Sequence, residues 1–267
     1  MLVARDVTAR LGQSRRPVVD GVSLAVTPRH LTVVIGPNGA GKSTLLRMLA
    51  GEMPPQMGQV TLEDRALDHW RSRERARFLA VLPQSTSLDF AFRVEEVVGL
   101  GRLPHGDDET RGRGRQVVAA ALAAVGLSGF EDRLYPTLSG GEQQRAQLAR
   151  CLAQIDLLPD EPLAAPRYLL LDEPIASLDP AHQLSVLALA RHLAGRGLGV
   201  LAVLHDLGLA ASIADELVVM AGGRVVAAGP PGEVLTPDLI RAVYGIDALV
   251  LANPAGPGVL VAPRFAA

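Results

Sequence analysis

Nine consecutive residues, Gly36, Pro37, Asn38, Gly39, Ala40, Gly41, Lys42, Ser43 and Thr44, have the composition of a loop that cradles phosphate. Its glycines let the backbone turn tightly and bring N–H groups against phosphate oxygens. Lys42 falls where it can reach β- and γ-phosphates, and Ser43 where its hydroxyl can bind Mg²⁺. The loop follows the apolar run Leu31 to Ile35 and leads into Leu45 to Ala50. It therefore lies between a buried strand and a helix whose N-terminal dipole end favours anions. A Gly-rich turn without a ligand has no need of Lys and Ser at both offsets. The stretch points to a bound nucleoside triphosphate.

Phosphoryl transfer also requires a metal to spread charge, an oriented water and donors for the developing negative charge. Asp172, at the end of the apolar run Tyr168 to Leu171, is placed to hold Mg²⁺ through its water shell, and Glu173 beside it to polarise the attacking water. A solvated Asp-Glu pair ending a strand is the plainer alternative. The stretch from Leu138 through Ser139, Gly140 and Gly141 to Glu142 carries a second signal. Ser139 and Glu142 fit a capping box, a structural role at a helix start. Two glycines in a first helical turn each cost roughly 1 kcal/mol relative to alanine. They make sense where the backbone must approach an anion, with the Ser139 hydroxyl and exposed amides aimed at phosphate. Gln84 and His205 also follow strand-like runs, although a lone histidine at a strand end is more often a structural hydrogen-bonding residue.

The elements that must position these groups alternate along the chain. Strand patterns cover Met1 to Asp6, Val22 to Val26, Leu31 to Ile35, a hairpin-like piece at Gly58 to Leu62, and Phe78 to Leu82. They return at Tyr168 to Leu171, Gly199 to Leu204, Glu216 to Met220 and Arg224 to Ala228. Helical periodicity covers Val94 to Gly99, Arg111 to Val125, Gly141 to Ala153 and Ala181 to Leu193, with a further helix running to Ala214. The fold class is α/β: a doubly wound, mostly parallel sheet with an antiparallel amino-terminal part and an inserted helical subdomain. Ligands of such sheets bind at the carboxyl ends of strands, where Gly36, Gln84, Asp172 and His205 all fall. The expected organisation is one domain over residues 1–267. Its core is 1–86 and 166–267, and its helical part is 87–165 with a Pro-rich, irregular surface loop at 155–167.

At 267 residues, 48% hydrophobic and 20% charged, the chain is not a disordered polypeptide and can bury a substantial interior. A formal charge of −2 gives no global attraction for nucleic acid or anionic lipid. The single cysteine, Cys151, cannot form an internal disulfide and reads as a small buried apolar residue in a reducing compartment. The longest nearly uncharged apolar stretch, Val117 to Leu127, is too short to cross a bilayer, and the amino terminus lacks a secretory pattern. The expectation is a soluble, cytosolic chain. A mean hydropathy of +0.23 with few aromatics suits docking on a partner.

In order, Gly36 to Thr44, Gln84, Leu138 to Gln143, Tyr168 to Glu173, Ser177-Leu178-Asp179 and His205 match the Walker A, Q-loop, signature, Walker B, D-loop and switch motifs. The combination resembles the nucleotide-binding subunit of an ATP-binding cassette (ABC) transporter, and it spans nearly the whole chain. The resemblance implies a P-loop ATPase in which two copies close head to tail around two ATP molecules, the signature of one completing the site of the other. Ser139, Gly140 and Gly141 then act on the partner's nucleotide, and Asp179 organises the dimer seam. Gln84 contacts Mg²⁺ and water and relays occupancy to the membrane partner, while His205 reads the γ-phosphate. Two positions depart from the pattern. The loop before Val18 offers Leu11, Arg15 and Arg16 but no aromatic to stack on adenine, and Ile175-Ala176 stands where a Thr-Ser type pair is common.

Pro83-Gln84 followed by Val97 to His105, and the stretch Gly232 to Gly245, resemble the importer branch that handles iron chelates, haem and cobalamin. The Pro-rich stretch Asp156 to Arg167 looks like the extra loop of haem-importer ATPases, although surface loops also tolerate such insertions. The implied protein is the ATPase of a haem importer, peripheral on the cytoplasmic face of the inner membrane. Its partners would be two transmembrane permeases and, indirectly, a periplasmic binding protein, with no nucleic acid. A ferric-siderophore or cobalamin importer is the alternative. A soluble ABC ATPase of translation or DNA repair would show a second phosphate loop or a long heptad segment, and neither is found.

Overall fold

Short apolar runs bounded by turn residues become strands, and the longer segments with helical spacing become helices. The computed structural model describes residues 1–12, 16–84, 90–106, 109–159, 161–176, 178–254 and 258–264, with Arg111 described by its backbone alone. Arg15 and Ser177, named above, lie outside the described residues, as does residue 160 of the Pro-rich loop. The strands are β1 (Leu2–Ala9), β2 (Val19–Val26), β3 (Leu31–Ile35), β4 (Met57–Leu62), β5 (Arg65–Ala66), β6 (Leu79–Leu82), β7 (Tyr168–Asp172), β8 (Gly199–Val203), β9 (Glu216–Ala221), β10 (Arg224–Gly229), β11 (Ala248–Ala252) and β12 (Val259–Pro263). The helices are α1 (Lys42–Leu49), α2 (Ser72–Ala76), α3 (Val94–Gly99), α4 (Arg111–Ala124), α5 (Gly140–Gln154), α6 (Pro180–Gly195), α7 (Leu207–Ile213), α8 (Pro231–Val234) and α9 (Pro237–Tyr244).

Among the described residues the central sheet has the order β10-β9-β3-β8-β7-β6, parallel except for the β9–β10 hairpin. Strands β3, β7 and β8 are buried at every position because both faces are covered. Leu31, Val33 and Ile35 point into one hydrophobic cluster and Val34 into the other; Leu169 and Leu171 against Leu170 repeat the alternation. One cluster contains the helical elements, the other α1 and the amino-terminal sheet β2-β1-β4-β5, which is antiparallel. Helices α3 to α5 leave the sheet after β6 and return at β7, its hydrogen-bonded neighbour, so the helical segment is an excursion between two adjacent strands. No helix among the described residues is long and apolar enough to cross a membrane.

Several boundaries differ from those the pattern predicts. Strand β1 continues to Ala9: a bulge at Asp6, with φ of 49°, breaks the two-residue alternation on which the shorter range rests. Strands β11 and β12 pair antiparallel and lie in two apolar runs, Leu249 to Leu251 and Leu260 to Val261, separated in sequence by a Pro- and Gly-containing stretch, a signal that periodicity alone passes over.

The Pro-rich loop is irregular as expected, but it is not a loose surface insertion. Ile155, Leu157 and Leu158 are buried, and the loop is tied down by Arg196 Nη2 donating to Leu158 O at 2.6 Å. Beneath it Arg102 pairs with Asp156 at 2.8 Å and with Glu109. Arg113 pairs with Asp156 at 2.7 Å and Glu161 at 2.8 Å. Cys151 is buried with its thiol pushed up to about 11 by burial, an inert packing residue.

Candidate functional site

The residues with phosphate chemistry converge on a cleft of about 780 Å³ lined by Asn38 to Thr44, Gln84, Glu173, His205, Leu11 and Val18. Two of the loop's glycines are required by its geometry. A Cβ on Gly36 would lie 2.1 Å from Met220 O, and one on Gly41 2.3 Å from Val18 O, at φ of 153° and 97°. Gly41 is the N-cap of α1 and supplies no side-chain cap, so the first amides of that helix are left for an anion. Lys42 is 6% exposed, and its ammonium folds back to donate to Gly36 O at 2.7 Å and Pro37 O at 3.1 Å. Burial pushes its pKa below the ordinary lysine range, against the opposing pull of the Glu173 and Asp172 charges.

Strand order brings the remaining groups in. β8 lies between β3 and β7, so His205, just past β8, stands between the phosphate loop and the Asp172-Glu173 pair. The Ser43 hydroxyl donates to Asp172 Oδ1 at 3.1 Å. Glu173 is clamped from two sides: Gln84 Nε2 donates to Oε2 at 2.8 Å, and His205 Nε2 lies 2.5 Å from Oε1. Its backbone has φ of 50°, a left-handed conformation that costs a non-glycine residue of order 1 kcal/mol. Burial pushes Asp172 above the usual carboxylate range; the Ser43 hydrogen bond opposes this and the neighbouring Glu173 charge reinforces it.

Mg²⁺ is tested by the donor set. A hydroxyl and a buried carboxylate that no cation among the described residues pairs with suit a hard ion that keeps several waters and takes its other ligands from phosphate. Among the described residues no group of three or more His, Cys, Asp and Glu side chains could hold a metal by itself.

The fold does not bring every candidate to this cleft. Ser139 caps α5, accepting from Glu142 N at 3.3 Å while Glu142 Oε2 accepts from Ser139 N at 2.7 Å, so the capping box forms. Asp179 caps α6 and accepts from His182 N at 3.0 Å. Ser139, Gly140, Gly141 and Asp179 are absent from the cleft lining. Leu11 and Val18 form an aliphatic wall of the cleft; sequence reasoning does not single out Val18, whose carbonyl lies where a Cβ on Gly41 would fall.

Fold and cleft together define a P-loop nucleotide-binding protein of the doubly wound α/β class. The family model for ABC transporters matches residues 19–176, and the chain belongs to that family. Curated relatives include the hemin import ATP-binding protein of Gloeobacter violaceus, 50% identical over 254 residues, covering 95% of this chain and 90% of the relative. The protein of the same name from Bordetella bronchiseptica is 48% identical over 261 residues, covering 97% and 98%. Among solved structures, an inward-facing metal-chelate type ABC transporter shares the fold with a TM-score of 0.79 at 23% identity, over 99% of this chain and 97% of that one. A dimeric bacterial ABC transporter cassette does so at 0.74 and 22% identity, over 86% and 98%.

Proposed function

We propose that the chain is the ATP-hydrolysing subunit of a haem importer, working as a pair of copies on the cytoplasmic side of two membrane permeases supplied by a periplasmic binding protein. The observation that carries the hydrolytic half of this reading is the placement of Glu173 at the cleft, held between Gln84 and His205. The haem half is supported by relatives about half identical over nearly the whole chain, each named for hemin import.

In this reading Lys42 exchanges the carbonyls of Gly36 and Pro37 for β- and γ-phosphate oxygens, and the α1 amides complete the cradle. Mg²⁺, held by Ser43, by Asp172 through water and by Gln84, would spread the negative charge of the phosphates. Gln84 and His205 release the Glu173 carboxylate, which orients a water and takes its proton, while His205 turns to the γ-phosphate. Ser139, Gly140, Gly141 and Asp179 serve the nucleotide of the second copy, which explains why they stand away from the cleft of their own chain. Docking to permeases is supported by the exposed apolar side chains Phe90, Phe92 and Leu134, which come together where Arg93 pairs with Leu134 and Tyr135 N donates to Phe92 O at 2.8 Å.

The test is purification with the co-expressed membrane partner, followed by ATP-dependent uptake of haem, a ferric siderophore and cobalamin in parallel. Uptake of haem alone supports the reading. Transport of either competitor without haem overturns the substrate.

A further inference from the structure

Two loops of this chain are built to one plan. In the first, Leu138 N donates to Tyr135 O at 3.1 Å, Ser139 caps α5, and the Gln143 amide, four residues past the cap, donates back to Tyr135 O at 3.4 Å and Leu138 O at 3.3 Å. In the second, Leu178 N donates to Ile175 O at 3.3 Å, Asp179 caps α6, and Gln183 donates back to Ile175 O at 3.2 Å and Leu178 O at 3.1 Å. Each glutamine gives both amide hydrogens to its own loop, locking loop and helix into one piece. The plans diverge in the residues after the cap, Gly140 and Gly141 in α5 against Pro180 and Ala181 in α6, and Gly141 is the one at the contact between the loops.

That difference marks where the two pieces meet. A Cβ on Gly141 would lie 3.0 Å from Leu178 Cδ2, whereas nothing stands within 4 Å of the corresponding point on Gly140. The adjacent glycines therefore have different causes: the open side of Gly140 meets none of the described residues, and that of Gly141 is filled by the chain's own buried Leu178.

We propose that Leu178 is a positioning residue: seated against Gly141, it couples the loop that follows Glu173 to the Ser139 loop of the same chain. The inference rests on the shared-site reading above. Ala176 N donates to Glu173 O at 3.3 Å and Leu178 N to Ile175 O, so two linked turns connect the Glu173 backbone to Leu178. Rearrangement of Glu173 at one nucleotide is then carried through Leu178 and Gly141 to Ser139, which serves the other. Communication between the sites runs through a single chain.

The test is a double-mutant cycle on the full chain in complex with its permeases, reading ATP turnover, ATP affinity of the isolated chain and Tm. Gly141→Ala is expected to keep or raise Tm, because alanine suits a helix better, and to leave ATP affinity unchanged while turnover falls about tenfold. Gly141→Ala with Leu178→Ala should recover to within about twofold of Leu178→Ala alone, and Leu178→Ala should not rescue Gly140→Ala. In mixed dimers, recovery should require both changes on one chain. Losses that multiply in the double variant, recovery with the changes on opposite chains, or a lowered Tm for Gly141→Ala overturn the proposal. If the unmodified chain neither pairs nor hydrolyses ATP, the proposed function fails instead, and the two failures are distinguished.

Discussion

Asp172 in the nucleotide cleft and Asp156 under the Pro-rich loop are both withdrawn from water, yet their acidities move in opposite directions. Burial raises Asp172, and the chain offers it one hydroxyl in compensation. Burial would raise Asp156 too, but the Arg113 hydrogen bond and the charges of Arg102 and Arg113 more than offset it and hold the carboxyl below its ordinary range. The chain neutralises the carboxylate that braces the fold and leaves the one in the cleft short of a cation. Unpaired buried charge is costly, so it persists where a ligand is due to arrive. The cleft follows the same logic throughout: Lys42 leans on carbonyls, and Glu173 is held by side chains that can let it go.

Substitutions that touch only the cleft should separate these regions most sharply. Glu173→Gln should retain ATP and lose hydrolysis by roughly 10²–10⁴-fold, the usual scale of a general base, and accumulate a closed dimer at saturating ATP; phosphate release and size-exclusion chromatography measure both. Turnover near the unmodified rate would remove Glu173 from the role. Ser139→Arg should leave ATP binding to the isolated chain within about twofold but abolish dimer closure, since the exposed α5 terminus then presents bulk and charge to the partner's nucleotide. A normal yield of ATP-bound dimer would break the shared-site assignment. Lys42→Ala should weaken ATP binding on the order of 10–100-fold, the worth of a charge-assisted contact, as read by titration calorimetry.

The smallest effects test the comparison itself. Asp172→Asn should raise the Tm of the nucleotide-free chain by a few degrees at neutral pH, because the ionised carboxylate is a penalty in the folded state. That gain should shrink as pH falls through the raised pKa and vanish below about 4, where the unfolded carboxylate is protonated as well. Asp156→Asn should instead destabilise by on the order of 1–2 kcal/mol, a partly exposed ion pair being worth less than a buried one. Its deficit should persist down to about pH 4 and close only below that, as Asp156 itself protonates. Thermal melts across pH measure both. Shifts of the same sign would dissolve the contrast.

What the sequence by itself determined is local. The phosphate loop, the capping box at Ser139, the buried strands ending at Asp172 and Val203, and the helical spacing of α3 to α5 follow from side-chain type, backbone permissiveness and periodicity within a few residues, and so they can be read along the chain. Six motifs in order also sufficed for the family. Tertiary structure alone decided that β7 lies between β6 and β8, and hence that Gln84 and His205 clamp Glu173 from opposite sides. It also decided that Ser139 stands off from the cleft, that Leu178 fills the space left by Gly141, and that Asp156 is neutralised by Arg102 and Arg113. These pairings join residues far apart in sequence. They follow from which faces of whole strands and helices must be buried together, a choice made by the packed core and not by any short stretch of residues.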